Sequence, residues 1–128
     1  MNKKYTVLVT REGKWWIGEV QGLVGAATET ARLADLETEI RDLLAGLLDA
    51  ADDAFDLAWD FSAVVGAQGQ AMWEAFVAER AALETTRRRF EADRLATLRV
   101  LASSGVSARD SAALVDLSHQ RVSQLLSA

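Results

Sequence analysis

Apolar residues change their spacing several times along this chain, and each change predicts an element. Over residues 5–10, Tyr5, Val7 and Val9 alternate with Thr6, Leu8 and Thr10. Period two with β-branched residues predicts a strand. Arg11-Glu12-Gly13-Lys14 is short, polar and glycine-containing, which suits a hairpin connection. Trp15–Val20 is the second strand. Successive strand side chains point to opposite faces, so of Trp15 and Trp16 only one can enter the core. Gln21-Gly22-Leu23-Val24-Gly25 is a loop, and a brief third strand follows at residues 26–28. From Thr30 or Arg32 the spacing becomes three and four: Leu33, Leu36, Ile40, Leu43, Leu44, Leu47 and Leu48 mark one helix face. Asp35, Glu37 and Glu39 fall in its first half, where the helix dipole favours acids. Phe55, Leu57, Trp59 and Phe61 then alternate with Asp56, Ala58, Asp60 and Ser62, a further half-buried strand. The order is β-β-(β)-α-β, with the helix on one face of a small antiparallel sheet.

Gly66-Ala67-Gln68-Gly69 marks a boundary. Residues 70–103 hold no glycine or proline and consist largely of good helix formers. Phe76, Leu83 and Phe90 recur every seven residues, with Trp73 and Leu98 close to the same stripe. A continuous helix over this stretch would be roughly 50 Å long, longer than ordinary globular helices. Two outcomes are open: the helix breaks near residues 91–94, or its stripe packs on a second copy of the chain.

The last segment, GVSARDSAALVDLSHQRVSQLLS, reads as helix, tight turn, helix. Gly105 stops the preceding helix, whose end carries Leu95, Leu98, Leu101 and Ala102. Ser107 is an N-cap with Asp110 three residues on, a variant of the capping box. Ala108–Val115 is a short helix burying Ala112 and either Leu114 or Val115. Asp116-Leu117 is the turn, and Ser118 caps a second helix with Val122, Leu125 and Leu126 apolar. The spacing is that of a helix-turn-helix. Its turn often carries glycine; here Asp116 stands in, and Asp tolerates a left-handed backbone better than most residues. His119, Gln120, Arg121, Ser123 and Gln124 are left facing outward. Gln can pair bidentately with adenine and Arg with guanine. Ser107, Arg109 and Ser118, near helix N-termini, suit phosphates. Arg87-Arg88-Arg89 either form a solvated helix face or extend a phosphate contact.

The whole chain is acidic, with a formal net charge of -5, which argues against nucleic acid until the charges are located. Up to Gly66 there are six basic residues against twelve acidic ones; from Arg87 onward there are seven arginines against four acids. The segment that would meet DNA is therefore the basic one. The chain has no cysteine, which removes disulfides, thiolate nucleophiles and sulfur-ligated zinc. MNKKYTVLVT lacks the apolar run of a secretory signal, and no run is long enough to span a membrane. A soluble cytoplasmic protein is expected.

The stretch YTVLVTREGKWWIGEVQGLVGAATET, followed by ARLADLETEIRDLLAGLLD, resembles the HicB family of antitoxins from bacterial type II toxin–antitoxin systems. With DLAWDFS it is similar to that family's partial RNase H-like fold. The resemblance covers roughly residues 4–62 and 95–127; the long helix between has no counterpart. It implies a small basic ribonuclease toxin as partner, masked by the front domain, with Trp15, Trp16 and Leu23 as contact residues. It also implies repression of its own operon through the C-terminal segment, on double-stranded operator DNA. An acidic front half suits a lid over a basic partner.

The expected architecture is thus α+β: a HicB-like sheet and helix domain over residues 1–66, a long connecting helix over 67–104 and a helix-turn-helix over 105–128. A homodimer is expected, because two-fold symmetry lets two recognition helices reach successive major grooves of a palindromic site; Trp73, Phe76, Leu83 and Phe90 are the expected dimer contacts. No enzymatic activity, metal or cofactor is expected. Asp49, Asp52, Asp53, Asp56 and Asp60 read as a solvated edge rather than a two-metal site, the one histidine has no acid nearby to orient it, and Gly22 and Gly25 lack phosphate-loop spacing. Two other readings stay open: a stand-alone regulator whose front domain senses a ligand, and a protein-interaction module that never touches DNA.

Overall fold

The alternating segments pair into one sheet. In the computed structural model, which describes residues 2–128, β1 (Lys3–Glu12) and β2 (Trp15–Val20) form an antiparallel hairpin. β3 (Ala27–Thr30) adds to β2, also antiparallel. A single 3₁₀ turn, Leu33–Asp35, leads into α1 (Leu36–Leu48), and β4 (Phe55–Asp60) returns to the sheet beside β1. The strand order is β3-β2-β1-β4. The chain is α+β, a four-stranded mixed sheet with several helices.

The 3.6-residue period puts Leu36, Ile40 and Leu44 on one stripe of α1, and all three are completely buried. They cover the sheet face carrying Tyr5, Val7, Val9, Val20 and Phe55. Burying each such side chain is worth about 1.5 to 3 kcal/mol relative to leaving it exposed. Gly18 lies beneath α1, where a Cβ would come within 3.1 Å of Ile40 Cδ1 and 3.3 Å of Leu36 Cδ1. The missing side chain is what lets helix and sheet approach there.

Three sequence expectations are corrected. The sheet is mixed rather than antiparallel, because β4 runs parallel to β1. Alternation encodes which face a side chain takes, not which way the strand runs. Here β3, α1 and β4 make a strand–helix–strand crossover, and a returning helix delivers the next strand in the same direction as the last. The third strand lies at Ala27–Thr30 rather than residues 26–28. The α-helix starts at Leu36, not at Thr30 or Arg32, because Thr30 is the buried last residue of β3 and donates its hydroxyl to the Arg32 carbonyl at 2.8 Å.

α2 (Ser62–Ser103) begins with one turn and then meets Gly66, whose φ of 80° and ψ of 169° are not helical. That region is essentially glycine's alone. Asp60 Oδ1 accepts from both the backbone N–H and the hydroxyl of Ser62, at 2.9 and 2.6 Å, and so caps the first turn. Past Gly66 the helix runs without interruption, so of the two outcomes left open a break near residues 91–94 does not occur. By internal contact the chain divides into two units, Met1–Ala75 and Phe76–Ala128. The first two turns after Gly66 belong with the sheet, and Gln70 shows why. Its side-chain Nε2 donates to the Trp59 carbonyl at 2.8 Å while its Oε1 accepts from the Phe61 N–H at 2.7 Å. One amide thus satisfies both main-chain groups at the end of an edge strand that would otherwise stay unpaired.

In the second unit the end of α2 packs against α3 (Ala108–Val115) and α4 (His119–Ser127). Leu98, Ala112 and Val122 are buried at the junction, with Val115, Leu117, Leu125 and Leu126 half-buried around them. Of the two alternatives for α3, Val115 turns inward and Leu114 is 69% exposed. Among the described residues, no helix is long and apolar enough to cross a membrane.

Candidate nucleic-acid interface

Local chemistry builds α3 and α4. Gly105, at φ 85°, ends α2 in the left-handed region. Ser107 takes an extended backbone, and its hydroxyl accepts from the Asp110 N–H at 3.1 Å. Ser118 repeats the device: its hydroxyl accepts from the Arg121 N–H at 3.1 Å. Between them Asp116 adopts φ 55° and ψ 50°, the left-handed conformation its short polar side chain tolerates. Its neighbour Leu117 tucks into the small core.

The same packing decides what faces out. With Val122 turned inward, steps of about 100° put Gln120 and Gln124 on the opposite side of α4, Ser123 beside them and Arg121 on the flank. Ser107, Arg109, Ser118, His119, Gln120, Arg121, Ser123 and Gln124 are all exposed. Arg121 Nη1 donates to Gln124 Oε1 at 3.4 Å. Arg121 and Leu125 also line a concavity of about 260 Å³ with Glu91, Ala92, Arg94 and Leu95 of α2. Arg121 thus borders α2 from the flank while its guanidinium reaches along α4 to Gln124, and the positions farthest from Val122 on the helix are the two glutamines.

The arginine triplet is not a free cationic run. Arg87 is paired with Glu84 at 2.6 Å and Glu91 at 2.9 Å, and Arg88 with Glu84 at 3.3 Å. Hydrogen bonding to Arg87 holds the Glu84 carboxyl below its ordinary value, and Glu84 in turn raises the Arg87 guanidinium further. Those arginines are half neutralised along the helix itself. Arg121 on α4, Arg109 on α3 and Arg94 on α2, which borders the same concavity as Arg121, make no ion pair among the described residues.

The other expected groupings fare differently. Phe76, Leu83 and Phe90 are 54%, 69% and 59% exposed on one stripe of α2. Arg80 and Arg94 lie over the Phe76 and Phe90 rings at 5.4 and 5.1 Å. Trp73 does not join that stripe; its ring meets Phe61 edge-on at 4.9 Å. Trp15, Trp16 and Leu23 do not form one surface. Trp16 lies on the α1 face with the Arg11 guanidinium 4.4 Å from its ring centre, and Trp15 lies on the opposite face. Leu23 sits in the loop past the far end of β2 and packs on the core. Asp49, Asp52, Asp53, Asp56 and Asp60 do not converge: among the described residues, no three His, Cys, Asp or Glu side chains are placed to hold a metal ion.

Two features of this unit carried no sequence signal. Ser111 is fully buried beside Ala112, and its hydroxyl has no hydrogen-bond partner. Phe90, Asp93, Arg94 and Thr97 face Leu114, Val115 and Asp116 across a hollow of about 450 Å³. Both depend on how α3 meets α2, which local spacing does not express. Compared with protein-family models, curated proteins and solved structures, the chain matches none.

Proposed function

We propose that this chain is a DNA-binding antitoxin-like repressor whose α3–turn–α4 segment acts as a helix-turn-helix. The observation that carries this reading is the exposure of Gln120, Arg121, Ser123 and Gln124 on a short capped helix whose other face is anchored by Val122 on Leu98. Two glutamines and an arginine supply the bidentate groups that read adenine and guanine in a major groove. In this reading Ser107, Arg109, Ser118 and His119, at the starts of α3 and α4, meet backbone phosphates. The hairpin, the third strand, α1 and β4 occur in the order expected of a HicB-like domain, which supports a partial RNase H-like fold for the front of the chain. In this reading its acidic surface masks a small basic ribonuclease and α4 represses the operon that encodes both.

The repressor works as a homodimer through the α2 stripe. Phe76 and Phe90 each lie seven residues from Leu83, and Glu79 and Arg87 each lie four away. An antiparallel pairing centred on Leu83 therefore sets Phe76 against Phe90 and Glu79 against Arg87 of a second copy. A parallel pairing would set each of these charges against its own kind. Light scattering on a size-exclusion column should give twice the chain mass, and Leu83→Glu should halve it.

The test of DNA binding is a gel shift with labelled DNA from upstream of the gene, at a stated salt concentration. Arg121→Ala or Gln120→Ala should weaken specific binding by about 1 to 3 kcal/mol and relax preference at one base position. Binding that no α4 substitution alters would overturn the proposal. Co-purification with the product of the adjacent gene tests the toxin partner separately.

A further inference from the structure

The edge strand β4 ends in aromatic residues. Trp59 and Phe61, two apart, share the α1 side of the sheet; their rings stack at 6.2 Å with 14° between planes. Trp73 comes in from α2 and meets Phe61 at 85°. The Gln70 amide, bonded to Trp59 and Phe61 at the main chain, holds that part of α2 in place. Leu33, in the 3₁₀ turn, and Glu37, at the start of α1, close the other side. The five residues bound a cleft of about 180 Å³. It is open to solvent: Leu33 is 39% and Trp73 36% exposed.

The walls of this cleft have one electrostatic sense. Aromatic faces are negative, and a cation seated on them gains most when it sheds its water easily. The only ionisable wall residue is Glu37. Among the described residues it makes one ion pair, a long contact of 3.6 Å from its exposed carboxylate to the half-buried Arg41 Nε. Arg41 is held elsewhere, because its Nη1 donates to the Asp52 and Phe55 carbonyls at 2.9 and 3.1 Å. The Glu37 carboxylate remains available at the rim. An anion would meet that carboxylate, and a neutral apolar group would gain nothing from it. A strongly hydrated ammonium or a metal ion would lose more water than an aromatic cleft returns. We infer that the cleft binds a small organic cation with a methylated ammonium head group, the aromatic rings enclosing the methyl groups and Glu37 balancing the charge. The acidic front half raises the local concentration of any such cation. This site is independent of whether α4 touches DNA.

The full chain should be titrated with choline and, separately, with its neutral carbon isostere 3,3-dimethylbutan-1-ol, followed by tryptophan fluorescence and calorimetry. Choline should bind saturably and about tenfold more tightly than the isostere. Trp73→Leu, a change at the exposed mouth, should abolish the difference, and Glu37→Gln should shrink it while circular dichroism stays unchanged. Equal binding of the two ligands would reduce the cleft to a greasy notch and overturn the inference. So would the absence of any saturable response to choline in the wild-type chain, or an unaltered preference in Glu37→Gln.

Discussion

Leu98 is the residue on which the C-terminal unit depends. It is fully buried, and only Ala112 and Val122 accompany it as buried apolar side chains in that unit. Leu98→Ala removes the largest of the three. Truncations of this kind cost about 2 to 5 kcal/mol, the transfer energy of the lost atoms plus the cavity left behind. A unit of about 50 residues has roughly 3 to 8 kcal/mol of stability in total, so the substitution should consume most of it. The sequence provides the assay. All four tryptophans, at 15, 16, 59 and 73, lie within Met1–Ala75. In a urea titration, tryptophan fluorescence follows the sheet unit, while ellipticity at 222 nm follows the helices of both. Leu98→Ala should move part of the ellipticity transition to lower urea, leave the fluorescence midpoint where it was, and abolish the DNA binding proposed for α4. If both probes shift together, the two units unfold as one and the reasoning from separate cores is wrong. If neither shifts, Leu98 does not hold α3 and α4.

Other substitutions test single physical terms. Ser111→Ala deletes a buried hydroxyl without a partner, and should raise the stability of the C-terminal unit by about 1 to 2 kcal/mol in the same titration; a loss would mean the hydroxyl is satisfied. Gly66→Ala meets no atom within 4 Å but forces a Cβ into positive φ, so it should destabilise by about 1 to 3 kcal/mol through backbone strain alone. The Asp60 carboxyl accepts from the Ser62 hydroxyl and N–H, which holds it below its ordinary value of 3.8. Its contribution is therefore present above that value and fades as pH falls through the lower folded one; carboxyl NMR should place the Asp60 midpoint below 3.8, and Ser62→Ala should move it upward.

What the sequence made legible was what its physics keeps local. The N-caps at Ser107 and Ser118 each need only one side chain and an N–H three residues on, so they are visible in a four-residue window. The left-handed turn at Asp116 is local too, as is the hairpin around Gly13. The buried stripe Leu36, Ile40, Leu44 follows from one helical period. Strand direction is not local. Phe55, Leu57 and Trp59 would alternate identically in either direction, and only the crossover through α1 decides that β4 lies parallel to β1.

The same limit explains the two candidate sites. The exposed face of α4 could be read from sequence because one helix carries all its residues, and the position of Val122 implies the position of Gln120. The aromatic cleft draws on a 3₁₀ turn, a helix, a strand and a second helix, through residues as far apart as Leu33 and Trp73. Nothing in the spacing of Trp59 and Phe61 says that Trp73 will meet them. The joint is made by Gln70, whose amide fits an edge strand only once Gly66 has turned the chain. Trp73 illustrates the consequence. On a heptad count it belongs near Phe76; in three dimensions the amide three residues before it draws its ring to Phe61, leaving Phe76, Leu83 and Phe90 as a stripe of their own.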